Sequence, residues 1–415
     1  MPKRLERGHR TRLDPRPQAL CRSPRTLKLG LIASLMLAPS APASQGSDVV
    51  LRAAHWLDVA AAQLRGPVIL QVSGGKITKI GAPGDFAPSG PVADLGGVTL
   101  LPGLIDAHVH MQLGGGLPRD NARATLRAGF TTVVDLGATS DVVLRLRDRI
   151  ASGALEGPRI LGAGRWVGKQ GGICEFGGIG VPGGPEAYRA RVREDVAAGA
   201  DLIKLCVSTW LADAFSRPEE YEISEAALAA AVDEAHRAGR LAVAHAISLG
   251  SVRAALRARV DGLAHAAYLD AATARELRDR GVFMTPTLVS LAGDPRDPAA
   301  KALRTAVAAA RDAGVRLVFG TDSGVLPHGE NGREFAALVD AGIPTIEAIR
   351  SATINAAGAY RLGDQLGQIK VGYRADLIGI DGDPLSDVRS LMRPSFVMVD
   401  GRVVVSTPGM LPKRD

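Results

Sequence analysis

Residues 201–246 read DLIKLCVSTWLADAFSRPEEYEISEAALAAAVDEAHRAGRLAVAHA: a short apolar run, a connecting segment, a helix-like stretch and a second short apolar run. In the helix-like stretch a 3.6-residue period sets Ile223, Ala227, Leu228, Ala231 and Val232 on one stripe, the face a helix buries against a sheet. The same alternation extends outward in both directions. Between residues 98 and 323 there are eight such runs: VTLLPGLIDAHVH, FTTVVDLG, RILGAGR, DLIKLCV, LAVAHA, GLAHAAY, VFMTPTL and RLVFGTD. Helix-like segments lie between most of them. Eight β runs with intervening helices over roughly 250 residues predict an α/β (β/α)8 TIM barrel, with a doubly wound sheet as the alternative.

Both flanks are β-only. VVLRAAHWLDV and VILQVSGGKITKIG precede the barrel, the latter turning at Gly74-Gly75. GQIKVGYRADLIGI and SFVMVDGRVVV follow it, with a hairpin turn at Asp400-Gly401. Neither set alone has enough strands to bury a face. Residues 48–100 and 366–412 are therefore expected to form one composite β-sandwich beside a barrel spanning 101–365.

The 415-residue chain carries a formal charge of +7, and the location of that charge decides its meaning. Residues 1–43 hold nine Lys and Arg against Glu6 and Asp14; the rest is balanced at 41 basic and 41 acidic residues. No global electrostatic case for nucleic acid remains. The basic leader ends in LKLGLIASLMLAPSAPASQ, an apolar stretch before the small-x-small pattern Ala41-Pro42-Ala43, which reads as the secretory signal of a periplasmic or secreted bacterial protein. No later run approaches the ~20 apolar residues of a membrane span. Cys21 lies in the leader. Cys174 and Cys206 could pair in an oxidising compartment, but two cysteines in so long a chain are no disulfide framework, and buried free thiols are the preferred reading.

Polar residues recur at the ends of the apolar runs. In IDAHVH the two-residue period of a strand sends Asp106, His108 and His110 to one side at the C-terminal end of the first run, the catalytic end of such a barrel. Two imidazoles on one side can grip one cation. His245 closes LAVAH, His265 closes GLAH and Asp322 closes FGTD. Singly, each could be a packed histidine or a cap; together they converge on one site. Lys204 joins them in the fourth run, with Cys206 on the same side. A buried lysine can pair with a carboxylate, form a Schiff base, or react with CO2 to become a carbamate. With four histidines and an aspartate around it, the carbamate accounts for most, because two divalent cations can share the anionic oxygens.

This pattern resembles the amidohydrolase superfamily. LPGLIDAHVH, Lys204, His245, His265 and the GTD at Asp322 match its metal-site positions in order. ARATLRAGFTTVVDLG, VDEAHRAGR, TINAAGAYRL and ADLIGIDGDPLSDV are similar to the branch holding imidazolonepropionase-like proteins, Xaa-Pro or Xaa-Arg dipeptidases and ochratoxin-hydrolysing amidases. The resemblance implies that His108, His110 and Asp322 hold one metal, His245 and His265 the second, and carboxylated Lys204 bridges them. It further implies zinc as the cation, a shared hydroxide as nucleophile, and Asp322 as the group that moves the proton. Two departures bear on substrate: the loop after the third run is GKQGGICEFGG, with Gln170, Cys174 and Glu175 where many relatives carry a histidine. Ala246 follows His245 where several prolidase-like relatives carry tyrosine.

The reading is a binuclear metal-dependent hydrolase of a small amide, a dipeptide or N-acyl amino acid, acting as a homo-oligomer without nucleic acid or membrane partners. Gln170 and, in the loop after the eighth run, His328, Glu330, Asn331 and Arg333 are the candidate substrate contacts. The alternatives are a cyclic amide or imidazolone hydrolase using the same centre, or a catalytically inactive ligand-binding barrel.

Overall fold

A computed structural model describes residues 48–291, 298–408 and 410, with the side chains of residues 211–213 left aside. The leader, its signal pattern and Cys21 lie outside the described residues. Parallel strands alternate with helices through the middle of the chain. One sheet orders its strands Arg159–Gly162, Phe130–Asp135, Leu104–Val109; a second runs Val167–Gly168, Leu202–Cys206, Leu241–Ala246, Gly262–His265, Phe283–Thr285. The parallel register sets Cys206 beside His245 and Ala246 beside His265, so consecutive strands finish at one level.

The helix Glu225–Arg237 shows why the opening stretch folds as it does. The Ser224 side chain accepts a hydrogen bond from the Ala227 N–H and caps the helix, and all five stripe residues are at most 2% exposed. Burying such side chains stabilises by about 1.5–3 kcal/mol for the larger ones, enough to fix the helix on the sheet.

Two of the eight runs depart from regular strands. RILGAGR breaks at Gly164, where φ is +73°; its first half pairs with Phe130–Asp135 and the residues beyond it with Leu202–Cys206. RLVFGTD makes an isolated bridge, Met284 with Leu317, and Ser323 just after it bridges Val109. Backbone hydrogen bonds still seat it beside the first strand: Ala107 N–H to Phe319 O at 2.9 Å and Asp322 N–H to His108 O at 2.7 Å. A Cβ at Gly320 would run into the side chains of Thr285 and His108, so this close approach requires glycine.

The β-only flanks form a four-stranded sheet from residues 49–94 and a six-stranded sheet that joins Leu377–Ile380, Phe396–Val399 and Arg402–Ser406 to strands from residues 55–102. Leu51, Leu70, Val72 and Ile77 of the first sheet share a core with Leu100, Leu377, Phe396 and Met398 of the second. Arg159 ties the third run to the C-terminal strands, donating to Asp376 at 2.8 Å and Asp400 at 2.7 Å. No helix among the described residues is long and apolar enough to cross a membrane.

Candidate metal centre

His108, His110, Lys204, His245, His265 and Asp322 line a single cleft at the C-terminal ends of the strands. None is more than 8% exposed. Asp322 Oδ1 lies 3.3 Å from His108 Nε2 and 3.2 Å from His110 Nε2. One ligand atom each from His108, His265 and Asp322 fall within 4.8 Å of one another, a metal-binding arrangement, and the rings of His245 and His265 are 4.7 Å apart.

The tautomers favour cations. His110 Nδ1 faces the Gly137 carbonyl at 2.9 Å and must donate to it, which leaves Nε2 of the neutral ring as a bare lone pair turned toward a carboxylate oxygen. That pairing is repulsive unless a proton or cation sits between. His265 Nδ1 is hydrogen-bonded to Thr287 Oγ1 at 2.8 Å, again freeing Nε2. Lys204 Nζ, His245 Nε2 and His108 Nδ1 are buried without a hydrogen-bond partner. Unpartnered buried polar atoms are costly, about 1–3 kcal/mol each, and a cation or anion bound at Lys204 Nζ or His245 Nε2 would offset the cost of that atom.

Electrostatics point the same way. Burial pushes His108 and His245 well below the usual imidazole range and His265 down to about 3, so these rings are neutral at pH 7 and keep lone pairs that could bind a cation. Burial would raise Asp322, but the charged form of the facing imidazoles outweighs it and holds the carboxyl well below its usual range; against burial, the same contact raises His110. Burial lowers Lys204 to about 7, with Asp322 opposing. A far larger share of it is then neutral and nucleophilic at pH 7 than of an ordinary lysine. His265 and Asp322 also hold left-handed backbone, with φ of 74° and 59°, strain of about 1–3 kcal/mol each that collects at functional sites.

A second set of groups holds these side chains. Asp106 does not line the cleft; its carboxylate accepts from Thr321 Oγ1 at 2.6 Å and Asn331 Nδ2 at 2.7 Å, tying the first run to the eighth. Asp135 accepts the Met111 and Gly137 N–H groups and so sets the carbonyl that orients His110. Glu334, fully buried, accepts the N–H groups of Leu288 and Val289 at 2.7 and 2.8 Å, next to the Thr287 that holds His265. Sequence reading gave Glu334 no role, because nothing in GREF marks it as buried.

Burial raises the Glu334 carboxyl from 4.5 to about 8. The folded state therefore binds a proton that the unfolded state releases above about pH 4.5, so this group's contribution to stability is intact below that pH and declines up to about pH 8. Compared with Glu334→Gln, the metal-free protein is expected to lose a few kcal/mol of unfolding free energy between pH 5 and 8 from this group, while the buried neutral histidines act in the opposite sense below about pH 6.5. Glu334→Gln should flatten that part of the profile; an unchanged slope would show that Glu334 is not its source.

The five candidate substrate contacts are not brought to the cleft wall. Asn331 is fully buried and serves Asp106. His328 is held by Thr125 Oγ1 at 3.1 Å and the His110 carbonyl at 3.3 Å. Glu330 and Arg333 pair with each other at 2.8 Å on the surface, and Gln170 is exposed. The wall is instead apolar, formed by residues such as Trp166, Ile173, Phe176, Trp210 and Val325 that sequence reading passed over.

The preference for free thiols is also corrected. Cys174 and Cys206 form a disulfide that fastens the loop after the third run to the fourth strand, two residues beyond Lys204. The pairing depends on how that loop folds back, which spacing alone does not reveal. Cys174→Ser is expected to lower unfolding free energy by about 2–4 kcal/mol, seen as a shifted urea midpoint; no shift would mean the bridge does not constrain the unfolded chain.

Several known proteins resemble this chain to different degrees. The chain is 27% identical to ochratoxinase from Aspergillus niger over 361 residues, covering 72% of this chain and 73% of that protein. A solved Xaa-Pro dipeptidase, with methionine bound in its active site, superposes with a TM-score of 0.80 at 27% identity, covering 87% of this chain and all of that one. Molinate hydrolase superposes with a TM-score of 0.76 at 26% identity, covering 87% and 95%. These likenesses carry the TIM-barrel α/β fold. The amidohydrolase family model matches residues 99–404, a span that includes all six groups of the cleft. By that match the chain belongs to the amidohydrolase family and is a hydrolase of amide bonds.

Proposed function

We propose that the cleft is a binuclear metal centre that hydrolyses the amide bond of a small substrate. The observation that carries the proposal is Lys204: an amine buried without a partner, at a depressed pKa, among four histidines and an aspartate. Its neutral nitrogen attacks CO2, a C–N bond forms, one proton leaves, and the product is a carbamate anion. His108, His110 and Asp322 would hold one divalent cation, zinc being the best match to nitrogen-rich ligands, and His245 and His265 the other, with the carbamate between them. When bound, the cations supply a water acidic enough to attack a carbonyl at neutral pH and a Lewis acid for that carbonyl.

The chain's own groups do the rest. Asp322, held ionised, accepts the proton of the attacking water and passes it to the leaving nitrogen, so that the amine departs neutral. His110 and His265 are locked by Gly137 O and Thr287 and need no reorganisation when the site loads. The disulfide beside Lys204 suits an oxidising compartment, which supports export by the basic and apolar leader.

The three relatives are named for different substrates, so the shared element is the chemistry and not the ligand. Protein loaded with zinc and bicarbonate is expected to release amine from members of an amide panel, to lose the activity on chelation, and to regain it with zinc. Turnover that persists at full rate with metal stripped to below about a tenth per chain would overturn the proposal.

A further inference from the structure

Two charged side chains line the cleft among the described residues, Lys204 and Asp322, and both belong to the centre itself. A substrate ending in a carboxylate needs a cation or a set of donors to replace the water it loses, and among the described residues no arginine or second lysine lies on the wall. Arg333 of the loop after the eighth run pairs with Glu330 at 2.8 Å and does not line the cleft. What the wall offers is apolar area. Trp166, Ile173 and Ile247 lie inside, while Phe176, Trp210 and Val325 stand at the mouth 43%, 57% and 59% exposed. Large apolar side chains left in water around a cleft mark a ligand surface.

This wall is built rather than incidental. The Cys174–Cys206 bridge holds its loop to the fourth strand, and the Glu222 carboxylate accepts the Ile173 N–H at 2.9 Å. The Trp166 ring packs against His110 at 5.5 Å and Phe176 at 5.2 Å, so one aromatic surface runs from the centre to the mouth. Resting on the reading of the cleft as the amide-hydrolysing site, we infer that its substrate class is an uncharged amide with apolar or aromatic groups on both sides of the scissile bond. This departs from the dipeptide or N-acyl amino acid expected from the sequence.

The test compares two isosteric probes, N-benzoyl-phenylalanine and N-benzoyl-phenylalaninamide, by calorimetry on the full zinc-loaded protein. The neutral amide is expected to bind at least about tenfold more tightly. Val325→Arg, which sets a cation at the mouth, should narrow that ratio by about tenfold through the carboxylate probe. Equal or tighter binding of the carboxylate by the unmodified protein overturns the inference, and so does a failure of both probes to bind. Cleavage is scored separately with N-phenethylbenzamide. No turnover by zinc-loaded protein counts against the hydrolytic reading, whereas turnover together with a preference for the carboxylate probe sinks only the substrate class.

Discussion

Lys204→Ala is expected to lower kcat/KM by about 10³-fold or more and to leave the protein with less than one tightly held cation per chain, as measured by amine release and elemental analysis. Lys204 sits in the strand Leu202–Cys206 between apolar neighbours, 2% exposed, with no hydrogen-bond partner for Nζ. A lysine kept for stability would be paired, since a buried unpaired amine weakens the fold. Removing it should therefore not harm the metal-free protein: Lys204→Met, which refills the volume, is expected to unfold at the same urea concentration or a higher one. Short carboxylic acids should restore part of the activity of the alanine variant by entering the vacated space. Full activity of Lys204→Ala without added acid would eliminate the bridging role.

Asp322→Asn is expected to reduce kcat by about 10²–10⁴-fold while the fold persists. Asparagine is the informative replacement because Asp322 holds φ at 59°, a left-handed conformation that asparagine tolerates and most residues do not. The amide keeps one oxygen near His108 and His110 but cannot take a proton at neutral pH. Circular dichroism and the urea midpoint should be nearly unchanged. An unaltered kcat would remove Asp322 from the proton path, and wholesale unfolding would mean that its charge holds the eighth run in place.

The six groups of the cleft were legible in the sequence because each stands at or near the C-terminal end of a short apolar run, and parallel strands bring such ends to one level. Lys204 and His245 meet this way through the register that pairs Cys206 with His245. The eighth run was legible as a position but not as a conformation: Gly320 and the left-handed Asp322 leave it with an isolated bridge in place of a ladder. The wall of the cleft was not legible. Phe176 belongs to a loop whose path is set by a disulfide and by Glu222, contacts separated by 32 to 49 residues, and only that path brings it against Trp166 on the other side of the strand Val167–Gly168. The loop after Asp322 misled for a related reason. Its polar residues suggested a ligand, yet Asn331 turns inward to Asp106, while Glu330 and Arg333 satisfy each other three residues apart. Charge pattern gives no sign of which polar side chains a fold will use internally.

The central claim is that Lys204 is converted into an anion that two cations share. The most direct measurement grows the protein with zinc and ¹³C-labelled bicarbonate, then reads metal content and the carbonyl region of its ¹³C spectrum without acid treatment. About two cations per chain and a labelled carbamate signal that is absent from Lys204→Met are predicted. Fewer than one cation per chain, or full metal loading with no labelled signal, would contradict it.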